Sequence, residues 1–457
     1  MYTFKINYRQ LSDRFDPKYY DPMSQNIIDI ISKEYDYVSL NELAQTIKKG
    51  IFEIPASVYL DEGGIPFIRV SNVKHLTIDK YDLVYIPEEW NIKNIKTCLE
   101  PGDLVITKGG TIGNVAIIPP WIKKCNISQD IIGIKLNKEA DPYYIALFLD
   151  SKVGKIQMYR GRTEQLQPHL NLDVVRNTRI IFFDDYRKLS ESVKKAINMR
   201  FQALNKLKKA IKIIHEIIDI NIEDLPSTNL WFIRNQQISN EFFTPAYYYP
   251  LYVHLQKRLE KKFNTIELGE CCDIIKGIEV GSKNYKKYIN SKMDDVPFIR
   301  TTDFVNGEIN NYPDFFIDRT LFNKIKLDLK PGDILFTNDG KIGLSAILVE
   351  NDECVIQSHI RRTRLKNKYA TKIDPFYIFA FLNTPYGLFQ VYRYIVIQST
   401  ISTISDNLNK IEIPLIPIEE QKKIGKIIED ALYLKNQAKS LLINARRRLD
   451  SVVEEYV

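Results

Sequence analysis

The sequence is short of the residues that hold small proteins together through covalent or metal bonds. Cysteine and histidine each occur only five times in 457 residues. The cysteine count is odd, no two cysteines form a Cys-x-x-Cys pair, and Cys271 and Cys272 are adjacent, which argues against a disulfide framework or a zinc site. There is no run of about 18 apolar residues to span a bilayer, and no charged-then-apolar leader at Met1. The expectation is a reduced, cytoplasmic protein with no membrane partner and no bound metal. A Gly-x4-Gly-Lys-(Ser/Thr) phosphate loop is also missing, so ATP is not expected on this chain. Nor is the charge strongly one-sided: a net +7 over this length permits a polyanionic partner without forming a basic tail.

What the chain does have is enough apolar residue, 44%, for a buried core, and too much length for one ordinary core. It also repeats itself. Phe15-Asp16-Pro17-Lys18-Tyr19-Tyr20-Asp21-Pro22 returns as Phe243-Thr244-Pro245-Ala246-Tyr247-Tyr248-Tyr249-Pro250, and Ile65-Pro66-Phe67-Ile68-Arg69 as Val296-Pro297-Phe298-Ile299-Arg300. Leu99-Glu100-Pro101-Gly102-Asp103-Leu104 returns as Leu329-Lys330-Pro331-Gly332-Asp333-Ile334, each followed by a glycine-rich segment containing Ile-Gly. Asp141-Pro142-Tyr143-Tyr144-Ile145 and Asp374-Pro375-Phe376-Tyr377-Ile378 match again, and both lead on to Tyr-Arg at Tyr159-Arg160 and Tyr392-Arg393. The blocks keep one order in both halves, so one domain type is used twice.

Within each copy the Pro-Gly-Asp turn, the apolar run after it and the glycine-rich loop predict strand, tight turn and strand. Helical spacing after a proline suited to a first turn predicts helices over Pro142–Leu149 and Pro375–Leu382. Each copy is therefore α+β. After each copy comes a stretch without proline that alternates charged and apolar residues. In the second stretch Ile424, Ile428, Ala431, Lys435, Ala438, Leu442, Ala445, Leu449, Val452 and Tyr456 recur in steps of four and three, a heptad seam containing one lysine. In the first stretch Val193, Ile197, Leu204, Leu207, Ile211, Ile214 and Ile218 form the corresponding stripe, with Arg200 at the equivalent irregular step. A lone amphipathic helix of roughly 50 Å would leave its stripe in water, so the two are expected to pack on each other.

The expected architecture is thus two similar globular domains, residues 1–183 and 238–417, and two long helices, 184–219 and 418–457, with 220–237 as connector. Two like units joined through their seams would be pseudo-twofold, with the helices antiparallel in a coiled coil and the domains at opposite ends, a dumbbell. Two similar but non-identical domains a fixed distance apart suit a long regular ligand such as duplex DNA, which repeats every 34 to 36 Å or so.

The Pro-Phe-Ile-Arg and Leu-x-Pro-Gly-Asp-(Ile/Leu) blocks, the Gly-x-Ile-Gly that follows and the long helix after each copy resemble the specificity subunits of type I restriction-modification enzymes, from about Asp13 to the C-terminus. The resemblance implies that each domain is a target-recognition domain reading one half of a bipartite sequence in double-stranded DNA. It implies that the helices dock two methyltransferase subunits and, through them, endonuclease/translocase subunits. S-adenosylmethionine, ATP and Mg2+ would then belong to those partners, and this chain would carry no catalytic residue.

Residue chemistry suggests where DNA would be met. Arg69, Ser71, Asn72 and Lys74, and their counterparts Arg300, Thr301, Thr302 and Asp303, follow an apolar strand and offer donors and acceptors to phosphates or base edges. Lys108, Thr111 and Asn114, with Asn338 and Lys341, occupy the glycine-rich loops, where backbone can approach a ligand closely. His359, Arg362 and Arg364 lie on the most basic strand, aligned with Asp130-Ile131-Ile132-Gly133-Ile134-Lys135. Arg160, Arg162 and Arg393 are weaker candidates, and Arg446-Arg447-Arg448 reads as a solvated helix face, or else a contact to a partner or to the DNA between the half-sites. The rival from another class is a nuclease: Pro313-Asp314 with Asp328-Leu329-Lys330 fits a loose Mg2+-binding pattern, in which Asp314, Asp328 and Lys330 would polarise a water. A related DNA-reading subunit, of a type IIB or phage-defence system, is the other alternative. Asp141-Pro142-Tyr143-Tyr144 and its counterpart lack the second proline of a methyltransferase motif, and no Phe-x-Gly-x-Gly loop accompanies them.

Overall fold

Why the chain turns where it does is clearest at the Pro-Gly-Asp blocks. Gly102 and Gly332 adopt φ values of +94° and +89°, which a residue with a Cβ resists. Asp103 and Asp333 then close the turn by accepting the backbone N–H of Glu100 and Lys330, each at 2.8 Å. The strands that leave, Leu104–Thr107 and Ile334–Thr337, are buried along their whole length, which explains an apolar run without alternation. The computed structural model describes residues 5–6, 11, 17–161, 169–228, 230–281, 285, 289–290, 295–325, 327–398 and 401–454. Phe15, Asp16, Arg162 and Tyr456 lie outside the described residues, as does the side chain of Val452.

The chain divides into two compact units, residues 1–201 with 437–457, and residues 202–436. In the first, Ala44–Lys49, Ile131–Leu136, Leu104–Thr107 and Val115–Ile117 form, in that order, an antiparallel four-stranded sheet. Its equivalent in the second runs Cys272–Lys276, Ile360–Leu365, Ile334–Thr337, Ser345–Ile347. Each unit adds a smaller sheet with one parallel pairing, Ile65–Ile68 with Asn126–Ile127 and Val296–Ile299 with Val355–Ile356. Each also has a short hairpin, Val73–Lys74 with Thr77–Ile78 and Phe304–Val305 with Glu308–Ile309.

In each unit one short helix packs on the larger sheet and a second packs on that helix. Pro142–Asp150 and Pro375–Leu382 start where the sequence places them, because Asp141 and Asp374 each accept two backbone N–H groups of the first turn. The next helices, Lys152–Arg160 and Pro385–Arg393, are capped by Ser151 and Thr384.

The long helices span Tyr186–Ile218 and Ile418–Glu454. In the first unit Val193, Ala196 and Ile197 share a core with Ala438, Leu442, Ala445 and Leu449. In the second, Ala203, Leu207, Ala210, Ile214 and Ile218 share one with Ile424, Ile428 and Ala431. Within each unit, then, early turns of one helix meet late turns of the other. The seam differs in detail from the predicted one. Leu204 and Ile211 are only half-buried, whereas Ala203 and Ala210 are fully buried in their place. With Ala196 these alanines recur every seventh residue, and Ala431, Ala438 and Ala445 do the same on the last helix. A stripe of alanines lets helix axes approach closely; the expected seam of the last helix includes its alanines, whereas that of the first, weighted towards large apolar residues, passes over Ala196, Ala203 and Ala210.

Candidate nucleic-acid interface

Side chains that are alike in the two copies turn out to hold the frame. Tyr144 and Tyr377, both fully buried, donate their hydroxyls to the carbonyls of Ile181 and Pro414 at 2.6 and 2.8 Å. Gln157 pairs with both backbone groups of Arg179, and Gln390 with those of Glu412. Arg160 donates to the Tyr19 carbonyl and stacks 4.0 Å over its ring, while Arg393 does the same with Tyr247 at 4.4 Å. Each also bonds a glutamine, Gln25 or Gln256. Both arginines were candidates for phosphate contact; their guanidinium groups are committed inward.

The basic strand needs the same correction. Arg364 grips the Asp333 carboxylate through Nε and Nη2 at 2.6 and 2.7 Å and reaches Asp328 as well, so it braces the Pro-Gly-Asp turn. Lys135 approaches Asp103 at 3.7 Å in the other copy. Arg362 is 3% exposed and donates to the Asp273 carbonyl. Neither arginine stands free on a solvent face.

At the turn after the Pro-Phe-Ile-Arg strands, Asn72 and Asp303 are buried and accept the backbone N–H of Arg69 and Arg300 at 3.0 and 2.8 Å. The Asn72 amide also donates to the carbonyls of Asp79 and Tyr81. These two side chains shape the turn rather than read bases. Arg69 bonds the Asp82 carbonyl, whereas Arg300 pairs with Asp314 at 3.0 Å and lies 4.2 Å over the Phe315 ring. Ser71, Lys74 and Thr301 are half-buried and Thr302 is exposed. In the glycine-rich loops Asn114 donates to the Val73 carbonyl at 3.3 Å, and Thr111 and Lys341 are half-buried.

In the glycine-rich loops, too, the copies keep a common backbone and change the side chains. The N–H of Lys108 bonds the Asp130 carbonyl at 2.7 Å, and that of Asn338 bonds the His359 carbonyl at 2.8 Å. The loop carbonyls in turn accept the N–H of Leu170 and Ile404, at 2.9 and 3.0 Å. In the first copy Lys108 Nζ lies 3.6 Å from the Asp130 carboxylate, with His169 alongside Gly109. In the second, Asp339 bonds His359 Nδ1 at 2.6 Å, and Asn338, almost fully buried, donates to Asp339 and Thr403.

Both carboxylates of the nuclease pattern are engaged by cations. The Asp314 carboxylate is held by Arg300 and that of Asp328 by Arg364 and Lys330, two separate guanidinium anchors. Among the described residues no group of three or more His, Cys, Asp or Glu is arranged to hold a metal ion, and all five cysteines are free and buried. No helix of the described residues is long and apolar enough to cross a membrane.

One cluster has no counterpart in the sequence reading. In the first unit Asp150 contacts His75 at 2.8 Å, Lys155 at 3.1 Å and Arg446 at 3.5 Å, and Arg446 also faces Asp450 at 3.7 Å. Burial, helped by Lys155 and Arg446 and only partly opposed by Asp150, pushes the His75 pKa down to about 4. Burial alone would raise Asp150, but His75, Lys155 and Arg446 together hold its carboxyl well below the usual carboxylate range. Arg446 is therefore a buried anchor of the last helix rather than part of a solvated face, whereas Arg447 and Arg448 are exposed, Arg448 pairing with Asp185 at 3.3 Å. A buried charge is invisible in composition, and this cluster draws on residues scattered from position 75 to 450.

Two copies of one α+β frame that agree in their buried supports and differ in the partly exposed polar side chains of their glycine-rich loops define a protein class: a bivalent recognition protein with two variant faces. The model of the type I restriction modification DNA specificity domain matches residues 32–184 and again residues 260–444, and the chain belongs to that family. A protein of Methanocaldococcus jannaschii named as type I restriction enzyme MjaX specificity subunit is 21% identical over 449 residues, covering 92% of each chain. Among solved structures, the HsdS subunit from Thermoanaerobacter tengcongensis aligns over 93% of this chain and 96% of its own, at 16% identity and a TM-score of 0.28. The type I restriction-modification S subunit from M. genitalium aligns over 93% and 96%, at 13% identity and a TM-score of 0.34.

Proposed function

We propose that this chain is the subunit that tells a type I restriction-modification complex where on DNA to act. Each domain reads one half of a bipartite duplex target. The long helices set the distance between the halves and dock two methyltransferase subunits, through which endonuclease/translocase subunits join. Methyl transfer from S-adenosylmethionine, and cleavage and translocation with ATP and Mg2+, belong to those partners; this chain is without activity alone. The observation that carries the reading is the match of the DNA specificity domain to both copies, on a frame whose partly exposed polar junction changes from one copy to the other.

Methylome sequencing of cells that express the modification subunit with and without this chain tests it. The expected result is a two-part methylated motif, present only when the chain is present. Methyl transfer by the purified chain alone, or a motif that persists without it, would overturn the reading.

A further inference from the structure

We infer that the base-reading group of each copy sits at the junction of the glycine-rich loop, the strand start and the returning chain: Lys108 with Asp130 in the first copy, Asp339 with His359 in the second. This rests on the DNA-reading role proposed above and says which side chains perform it. Two domains that read different half-sites must share what builds the frame and differ in what touches bases. Tyr144, Gln157 and Arg160 have identical counterparts with identical bonds, so they belong to the frame. At the junction the main-chain bonds are equally conserved between copies, yet the chemistry is exchanged.

The exchange reverses what is offered to a ligand. In the first copy the strand start presents a carboxylate, Asp130, whose side chain is 39% exposed, with the Lys108 ammonium beside it. Position 109 is glycine there, and a Cβ would come within 2.9 Å of the Asp130 carboxylate. In the second copy that position is Asp339, turned onto the imidazole of His359, whose side chain is 45% exposed. An ionised carboxylate only accepts hydrogen bonds, so Asp130 selects a base with an exocyclic amino group, cytosine or adenine, in the major groove. Lys108 donates and suits the O6 and N7 acceptors of guanine. With Nδ1 held by Asp339, His359 meets its base edge through Nε2, a different demand from that of a carboxylate. The ligand of the junction is thus a base edge of duplex DNA, a different one for each copy.

The test uses the full chain expressed with its modification subunits, read out as the methylated motif. Asp130→Asn should lower discrimination at one base of one half-site by about tenfold or more, leaving the other half and the spacer unchanged. His359→Gln should do the same in the other half. Lys108→Gln and Asp339→Asn repeat the test at each junction should either first variant fail to fold. A two-part motif that stays the same in all four variants would overturn the inference while leaving the DNA-reading role intact. So would a uniform fall in methylation at every site, which marks a phosphate contact. A wild-type chain that directs no two-part motif would sink the role itself, and this inference with it.

Discussion

His75 sits at a hairpin turn, yet its imidazole is packed among Asp150, Lys155 and Arg446 and is held neutral near pH 7. The folded pKa of about 4 lies below the ordinary value of 6.5. Between those values the unfolded chain binds a proton that the folded one refuses, so stability rises with pH across that window and is lost on acidification. Going from pH 7 to pH 5 should cost about 2 kcal/mol from this residue. His75→Asn should flatten that part of the profile in denaturant unfolding followed at Trp90 and Trp121, which lie in the first unit; an unchanged profile would refute it. Asp333 gives a second residue-scale prediction. It is 1% exposed, caps the backbone at Lys330 and is held in two bonds by Arg364. Asp333→Ala should therefore destabilise the second unit by roughly 3 kcal/mol, the scale for stripping one partner from a buried ion pair. Asp328→Ala should be close to neutral, because that carboxylate is 54% exposed and the water around it screens the pair. Equal losses from the two would mean that Arg364 does not brace the turn. These contacts explain why so little of the candidate site could be read from the sequence. That Arg364 is basic and lies on a strand was legible; that its partner stands 31 positions earlier depends on which strands pair.

At the scale of elements much more was legible, because helix caps, turns and periodicity are local. Asp141-Pro142 and Asp374-Pro375 announce their helices, and the structure starts each at the proline. The long helices likewise follow from the absence of proline and the steps of three and four, and they span Tyr186–Ile218 and Ile418–Glu454. Ala431, Ala438 and Ala445 were in the stripe expected for the last helix and are buried, but in the first helix side-chain size was the blind spot. The first helix's seam alternates larger residues such as Leu207 and Ile214 with Ala203 and Ala210, and beside a large neighbour such as Leu204 or Ile211 an alanine is easily passed over. The packing says the alanines matter most, since Ala203 is fully buried and Leu204 only half-buried. Ala203→Leu should therefore cost about 1–3 kcal/mol through overpacking, and should cost more than Leu204→Ala, as read from thermal unfolding of the full chain. The opposite order would restore the seam expected from the apolar residues alone. Lys435 also becomes intelligible at this scale: 3% exposed, it donates to the Asn306 carbonyl at 2.8 Å in the Phe304–Ile309 hairpin. The irregular step in the seam thus ties a helix to its own domain, as Arg200 does through the His75 carbonyl at 3.4 Å.

For the molecule as a whole, duplication was the most legible feature and carries the most function. Two recognition domains reading two half-sites need a ruler, and on the proposed reading the paired helices are that ruler. The seam repeats every seven residues, as Ala196, Ala203 and Ala210 or Ala431, Ala438 and Ala445 make plain. Inserting seven residues of matching pattern into both helices, between Ala203 and Ala210 and between Ala431 and Ala438, keeps every apolar residue in its place along the stripe. It lengthens each helix by about 10 Å at 1.5 Å per residue. Duplex DNA rises about 3.4 Å per base pair, so the methylated motif should keep both half-site sequences and gain roughly three base pairs between them. Inserting three residues instead turns the stripe off the seam and should cost stability and methylation together. A seven-residue variant that folds and methylates with its original spacer would show that something other than the helices sets the distance.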